Sequence, residues 1–225
     1  ATSNICTSQV LLAVTASMYG VYHGPDGLKE IASRIHRMTE ALAAGLRQLG
    51  YQIPETPFFD TLKIPVPQDQ QQAILARAGE QRVNLRISDG ALGISLDEKT
   101  SLRDIQDLLN IFNLNERSTD AQALLDTAAG DYDESLARTS EFMTHPVFNS
   151  YHSEMDMMRY ISGLKERDVS LTRSMIPLGS CTMKLSGTSA MLPISWPGFA
   201  NIHPFAPGEQ TKGYKRMIND LERWL

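Results

Sequence analysis

The strongest pattern in the sequence is a helical periodicity between residues 26 and 48. Apolar side chains recur there at spacings of three and four, at Leu28, Ile31, Ile35, Met38, Leu42 and Leu46. This spacing places them on one face of an α-helix, and such a face must be buried against another layer of structure. Gly24-Pro25 predicts a break before this helix and Gly50 predicts its end. The chain must therefore build a core around at least one long amphipathic helix.

Different patterns lie on either side of this helix. Residues 3–22 are apolar nearly all round, which predicts another, largely buried helix. After Gly50, short apolar runs predict four strands, which begin at Tyr51, Thr61, Arg82 and Ala91. Short helices are predicted over 68–81 and over 100–113, the second with a Thr or Ser cap. This succession predicts an α/β fold class, with helices and short strands in a compact α+β layer.

The composition changes near residue 115. Residues 116–140 are small, polar and acidic, with one weak helix near 120–128, and we interpret them as a surface linker between residues 1–115 and 141–225. A turn is predicted at Thr144-His145-Pro146 and a helix from Ser153. That helix has a methionine-rich face, made of Met155, Met158, Ile161 and Leu164, which we interpret as core, with a partner surface as the lesser alternative.

The last third of the chain contains an unusual stretch. Residues 174–210 carry five prolines and hardly any charge, which predicts irregular structure that is largely covered by protein. The chain begins with Ala1 rather than Met, and it stops inside a helical pattern, so we expect an internal piece of a longer protein. The second unit is therefore expected to be an irregular and helical beginning of a further domain.

Bulk properties exclude several classes of partner and site. The net charge is -5, from 21 basic and 26 acidic residues, and no basic block could follow a phosphate backbone, so nucleic acid is not expected as a partner. No run approaches the roughly 20 apolar residues of a membrane span. Cys6 and Cys181, far apart, favour neither a disulfide scaffold nor a zinc site and indicate a reducing compartment.

Residue types alone identify no complete active site. Cys181 is either a candidate nucleophile, with His203 as the nearest histidine in sequence, or a structural thiol. Lys184 is either a positive charge that contacts an anionic group or a solvated surface lysine. His203 and Phe205 flank Pro204 in a rigid turn that faces a ligand or forms a packing corner. His145, His152 and Glu154 fit no standard metal spacing, so no metal site is expected.

Six longer stretches carry a family resemblance. They are, in order, ATSNICTSQVLLA, MYGVYHGPDGLKEIA, YHSEMDMMRYISGL, MIPLGSCTMKL, WPGFANIHPFAP and GYKRMINDLERWL. Together they resemble the P-protein family of the glycine cleavage system, the decarboxylating glycine dehydrogenases. The resemblance implies two similar halves with the aspartate aminotransferase-type, fold type I, architecture of pyridoxal phosphate enzymes. Residues 1–115 would be the C-terminal small domain of the first half, and residues 141–225 the N-terminal segment of the second, catalytic half.

The resemblance also implies a reaction and its partners. Glycine would lose CO2 with pyridoxal phosphate as the electron sink, and the aminomethyl group would pass to the lipoyl arm of H-protein. The Schiff-base lysine would lie outside this chain, so Lys184 is not that residue. We expect six residues to line or support the entrance for glycine and the lipoyl arm: Ser180, Cys181, Thr182, Lys184, His203 and Phe205.

The remaining expectations concern context. The other half or subunit of the enzyme is an expected partner, with a membrane and nucleic acid excluded. The expected compartment is a bacterial cytoplasm, or the mitochondrial matrix if the source is eukaryotic. Two alternatives stay open: the isolated chain is a non-catalytic structural connector between two halves, or it is a piece of another fold type I decarboxylase.

Overall fold

The computed structural model describes residues 8–130, 135–167 and 187–225. Its helices are α1 (Ser8–Leu49), α2 (Gln68–Glu80), α3 (Leu102–Phe112), α4 (Ala121–Thr127), α5 (Glu154–Glu166), α6 (Thr188–Met191), α7 (Pro197–Ala200) and α8 (Lys212–Trp224). Its strands are β1 (Thr61–Pro65), β2 (Arg86–Ser88) and β3 (Ala91–Ser95). The chain divides into a larger unit, Ala13–Ile161, and a smaller unit, Ala1–Leu12 with Ser162–Leu225.

The first two predicted helices form one element with a break inside it. Gly24, with φ 62° and ψ -176°, is not helical, and Pro25 follows it within α1. The predicted break is therefore confirmed. The prediction that the first of these helices is largely buried is wrong, since Leu12 is 72% exposed and Val14 is half-exposed. Val21, near the break, is the buried apolar side chain of this part among the described residues.

The larger unit contains a small antiparallel sheet with strand order β1-β3-β2. Leu62 pairs with Ile94 and Ile64 with Leu92, and all four side chains are buried on one face. The predicted strand at Tyr51 is wrong. The backbone N–H of that residue closes the end of α1 by donating to the Leu46 carbonyl, and its hydroxyl donates to the Phe112 carbonyl at 2.7 Å.

The core lies where the second part of α1, α2, α3 and the sheet meet. Its largest fully buried members are Leu42, Leu46, Leu62, Ile64, Ile74, Leu92, Ile105, Leu109, Ile111 and Phe112. The predicted helices α2 and α3 are confirmed, and Ser101 caps α3 in a capping box with Asp104. The mixture of helices with a small sheet confirms the α/β class in this coarse form.

The acidic segment after α3 also contributes to the core. Ala121 and Leu124 of α4 are buried in the main apolar cluster, Leu124 with only 6% of its surface exposed. Composition predicted a surface connection here, and the structure differs because these side chains lie one turn apart on the face that meets α3. The division of the chain into residues 1–115, 116–140 and 141–225 remains a prediction.

Two burial predictions for the second part of the chain are wrong. On α5 only Met157 is buried, whereas Met155 and Met158 are more than half exposed, so its methionine-rich face is not core within the described residues. Of the stretch 174–210 that was predicted to be covered, residues 174–186 lie outside the described residues. Residues 187–210 form α6, α7 and short 3-10 turns, and their apolar side chains are mostly exposed rather than covered. Burial was predicted from composition, and nothing in the described residues packs over these faces.

Candidate functional site

Four of the six candidate residues, Ser180, Cys181, Thr182 and Lys184, lie outside the described residues. Their expected role at the entrance for glycine and the lipoyl arm therefore stays a prediction. His203 and Phe205 are described, and the structure shows how the local backbone holds them.

His203 lies in a tight turn that fixes its ring. The backbone N–H of Phe205 donates to His203 Nδ1 at 3.0 Å, and the N–H of Ala206 donates to the His203 carbonyl at 2.9 Å. Since Nδ1 is the acceptor, a neutral His203 ring carries its hydrogen on Nε2. Pro204 and Pro207, which both follow His203, each have φ fixed by the proline ring. The hydrogen bond to Nδ1 therefore orients the His203 ring and leaves its Nε2–H as a donor.

Phe205 stands next to this imidazole and is 89% exposed. The centroids of the His203 and Phe205 rings are 5.8 Å apart, and the rings are tilted by 44°. Whether this turn faces a ligand or forms a packing corner stays a prediction.

Sequence reasoning missed an aromatic cluster in the same unit. The Tyr214 hydroxyl donates to the Phe199 carbonyl at 2.6 Å, and the Phe199 and Tyr214 rings meet edge to face at 5.9 Å. The Trp196 ring lies 6.4 Å from that of Phe199. These contacts join α7 to α8 and support the segment that leads to His203. The aromatic spacing in WPGF was the available signal.

The described residues do not supply an anchoring site for pyridoxal phosphate. This cofactor forms a Schiff base with a lysine amine held in a pocket. The described lysines are all exposed on the surface: Lys29, Lys63, Lys99, Lys165, Lys212 and Lys215. We therefore derive no chemical step through the cofactor from these residues.

No group of three or more His, Cys, Asp or Glu side chains is placed to hold a metal ion in residues 8–130, 135–167 and 187–225. Two of the histidines considered for such a site have other partners. His145 Nδ1 accepts from the Val147 N–H at 3.2 Å, and His152 Nδ1 donates to the Tyr22 carbonyl at 2.8 Å. Both rings therefore contribute to backbone structure.

A cavity of about 860 Å³ in the larger unit was not signalled by any motif. It lies between the end of α1, the β1–α2 connection and the segment after α3, and Tyr51, Asn113 and Arg117 are among its lining residues. Arg117 donates from Nη1 to the Gln48 carbonyl at 2.7 Å. Burial raises the pKa of Tyr51, an effect that nearby Arg77 partly opposes. Arg117 and Tyr51 therefore form hydrogen bonds within the fold, to the Gln48 and Phe112 carbonyls.

None of the helices among the described residues has both the length and the apolar character required to cross a bilayer.

Comparison with known proteins shows what the chain resembles as a whole. The family model described as "Glycine cleavage system P-protein" matches residues 1–112. Proteins named "Glycine dehydrogenase (decarboxylating)" match all of the chain: one from Nostoc sp. at 51% identity over 234 residues, and one from Thermosynechococcus vestitus at 52% over 226 residues. The chain belongs to the P-protein family of the glycine cleavage system. The family resemblance read from the sequence is thereby confirmed.

This P-protein chain spans about a quarter of the length of the curated relatives that it matches. It covers 24% of the Nostoc protein and 23% of the Thermosynechococcus protein. A third relative of the same name, from Serratia proteamaculans, is 51% identical over 230 residues and shows the same proportion, 24%. The alignments include residues 168–186, so the candidate stretch from Ser180 to Lys184 lies within the similarity.

Proposed function

We propose that this chain is part of a glycine dehydrogenase (decarboxylating). The parent enzyme releases CO2 from glycine and transfers the aminomethyl group to the lipoyl arm of H-protein. One observation carries this proposal: identity of 51–52% over the whole chain with proteins of that name. Identity at this level over a continuous quarter of a protein also disfavours a piece of a different fold type I decarboxylase.

The proposal includes pyridoxal phosphate and a fold type I architecture in the parent enzyme. The cofactor, when bound, accepts the electrons of the bond that breaks between the α-carbon and the carboxylate. Its anchoring lysine is assigned to a part of the enzyme outside this chain. The small antiparallel sheet and the helices α1, α2 and α3 packed with it lie within residues 1–115 and fit the small domain of a first half.

Within this enzyme, the turn at His203 and Phe205 is proposed to frame the entrance for glycine and the lipoyl arm. The backbone holds Nδ1 of the His203 ring, which leaves Nε2 as the donor that a carboxylate or a carbonyl can accept. Phe205 offers an exposed apolar surface that suits the aliphatic lipoyl arm. Ser180, Cys181, Thr182 and Lys184 are proposed to complete this entrance.

The rest of the enzyme, as the other half or subunit, is proposed to cover the apolar face of α8. Tyr214, Met217, Ile218, Leu221 and Trp224 recur on this face at helical spacing, and all but Tyr214 are at least 47% exposed. An exposed apolar stripe of this length indicates a contact surface. Without its cover, the isolated chain is a non-catalytic connector. We place the parent enzyme in a bacterial cytoplasm, or in the mitochondrial matrix of a eukaryote.

The proposed function is tested by following the aminomethyl group. The full-length enzyme is incubated with glycine, pyridoxal phosphate and lipoylated H-protein, and the mass of H-protein is measured. The expected result is a mass increase that corresponds to one aminomethyl group on the reduced lipoyl arm. H-protein without lipoate is the control and should remain unchanged. An unchanged mass of the lipoylated form would contradict the proposal.

A further inference from the structure

The break in α1 leaves a backbone carbonyl that a distant histidine satisfies. Pro25 has no backbone N–H, and Gly24 leaves the helical region, so carbonyls in the preceding turn lose their usual helical donors. One of them, the Tyr22 carbonyl, accepts from His152 Nδ1 at 2.8 Å, 130 residues further along the chain. Because a carbonyl oxygen can only accept, the His152 ring carries a hydrogen on Nδ1.

The same place is a close approach of two backbones. A Cβ atom on Gly24 would lie 2.6 Å from the Phe148 carbonyl oxygen and 2.7 Å from His152 Cε1. At φ 62° a side chain on this residue would also be strained. A Cβ on Gly20, one turn earlier, would meet Met143 Cε at 3.4 Å. Glycine at position 24 is therefore required for residues 143–152 to lie against α1.

Residues 143–152, here called the 143–152 turn, are fixed by their own hydrogen bonds. Asn149 Nδ2 donates to the carbonyls of Met143 and His145, at 3.0 and 3.1 Å, and Ser150 Oγ donates to the Pro146 carbonyl at 2.7 Å. Because these hydrogen bonds hold the 143–152 turn together, the bond from His152 to α1 also fixes the position of the rest of the turn.

Helix α5 starts directly after this turn. Ser153 Oγ donates to Asp156 Oδ2 at 2.7 Å and accepts from the Asp156 N–H at 3.2 Å, so Ser153 caps the helix. His152 is the residue immediately before this cap. The hydrogen bond between His152 and the Tyr22 carbonyl therefore fixes the position of the first residue of α5 relative to α1.

We propose that Gly24 and His152 form a joint that fixes the start of the catalytic half on the end of the first half. His152 is thus a positioning residue, because it acts on the reaction through the course of the chain rather than by touching glycine. This consequence for activity rests on the proposed function, since it takes residues 141–225 as the beginning of the catalytic half. From α5 the sequence continues into the stretch 174–210, which carries the candidate entrance residues.

Hydrogen exchange in the full-length enzyme tests the joint itself. His152→Phe keeps a planar ring but removes the donor, whereas His152→Asn restores an N–H near the position of Nδ1. Loss of one such bond predicts exchange roughly two- to tenfold faster in peptides covering 143–160 for His152→Phe, with the wild-type rate for His152→Asn. Gly24→Ala should also accelerate exchange, and Gly79→Ala, where an added Cβ meets nothing within 4 Å, should not.

Steady-state kinetics of the same variants test the positioning role. We expect kcat for glycine to fall about tenfold in His152→Phe with KM within twofold of wild type, and His152→Asn to restore kcat.

Unchanged exchange in peptides of α3 establishes that a variant is folded. Wild-type exchange over 143–160 in both His152→Phe and Gly24→Ala would overturn the joint. Faster exchange with unchanged kcat would overturn the positioning role. A wild-type enzyme inactive on glycine would refute the proposed function and the positioning role, while exchange would still decide the joint.

Discussion

Ser101 and Asp104 show how single residues stabilise this fold. Asp104 Oδ2 accepts from the Ser101 N–H at 2.8 Å and from the Ser101 hydroxyl at 2.6 Å, and Ser101 Oγ accepts from the Asp104 N–H at 3.3 Å. The hydrogen bonds from the Ser101 side chain and backbone hold the pKa of Asp104 below its usual value. The ionised carboxylate therefore stabilises the first turn of α3, next to the buried Ile105.

Removal of this carboxylate should make the stability of α3 less sensitive to acid. Because the pKa of Asp104 is lowered by folding, its contribution is complete above the ordinary Asp value, about 3.9, and is lost as pH falls through the lowered value. At pH 7, Asp104→Asn should cost about 1 kcal/mol of local stability, and its difference from wild type should shrink below about pH 4. Hydrogen exchange of α3 amides as a function of pH measures this. Asp107→Asn on the same helix is the matched control; equal effects of both variants would contradict the prediction.

A backbone hydrogen bond also orients the His203 ring, because the Phe205 N–H donates to its Nδ1 and leaves Nε2 to act as a donor. In the full-length enzyme, His203→Ala should lower kcat/KM for glycine at least about tenfold, the effect of losing a hydrogen bond worth about 1.4 kcal/mol. His203→Gln keeps an N–H near Nε2 and should recover part of the loss. Ser180→Ala and Thr182→Ala should each lower the same parameter. Wild-type kinetics in all three alanine variants would refute the proposed entrance.

At the scale of elements, sequence patterns predicted those parts whose signals are local. The spacing of Leu42 and Leu46, the break at Gly24-Pro25 and the cap at Ser101 each depend on a few neighbouring residues, and the structure confirms all three. The strand predicted at Tyr51 failed because the Tyr51 N–H closes the end of α1 on the Leu46 carbonyl. The Tyr51 hydroxyl donates to the Phe112 carbonyl, a partner distant in sequence that leaves no periodic signal.

The candidate site could be predicted only in part for the same reason. Sequence singled out the turn at His203, and local hydrogen bonds explain its shape. It did not predict that Phe205 would be so exposed, because exposure depends on packing between distant segments. The contact of His152 with Tyr22 was missed because it joins residues 130 positions apart. The family assignment came from long matched stretches, which no single pattern supplied.

The packing of α1 against α3 and α4 can be tested at Gly45. A Cβ on Gly45 would lie 2.5 Å from Leu109 Cδ2 and 2.9 Å from Leu124 Cδ1, and both leucines are buried. Gly45→Ala should therefore destabilise the larger unit by about 1–3 kcal/mol, although alanine is the better helix former. Gly79→Ala, in open space on α2, should be neutral or slightly stabilising. Hydrogen exchange of the α3 and α4 amides compares the two; equal stabilities would contradict the described packing.

At the scale of the whole molecule, the two units differ in how much apolar surface they bury. The larger unit has a continuous core, whereas the described part of the smaller unit leaves most of its large apolar side chains in solvent. The chain covers about a quarter of the length of its curated relatives, and we propose that the rest of the parent enzyme covers these faces. We therefore propose that the smaller unit is a segment completed by the parent enzyme.

Truncation of the apolar stripe on α8 tests this completion. In the full-length enzyme, Leu221→Ala should lower the thermal midpoint by several degrees, since truncating a buried leucine costs about 2–5 kcal/mol. Glu222→Ala, the next residue and on the polar side of the helix, is the matched control and should leave the midpoint unchanged. If Leu221→Ala behaves like the control, that face is not covered in the parent enzyme.

We propose that the parent enzyme decarboxylates glycine. Release of labelled CO2 from carboxyl-labelled glycine by the full-length enzyme, with pyridoxal phosphate and lipoylated H-protein, tests this beside carboxyl-labelled glutamate under the same conditions. We expect release from glycine that depends on the lipoyl group, and none from glutamate. Release from glutamate, or no release from glycine above the level without enzyme, would contradict it.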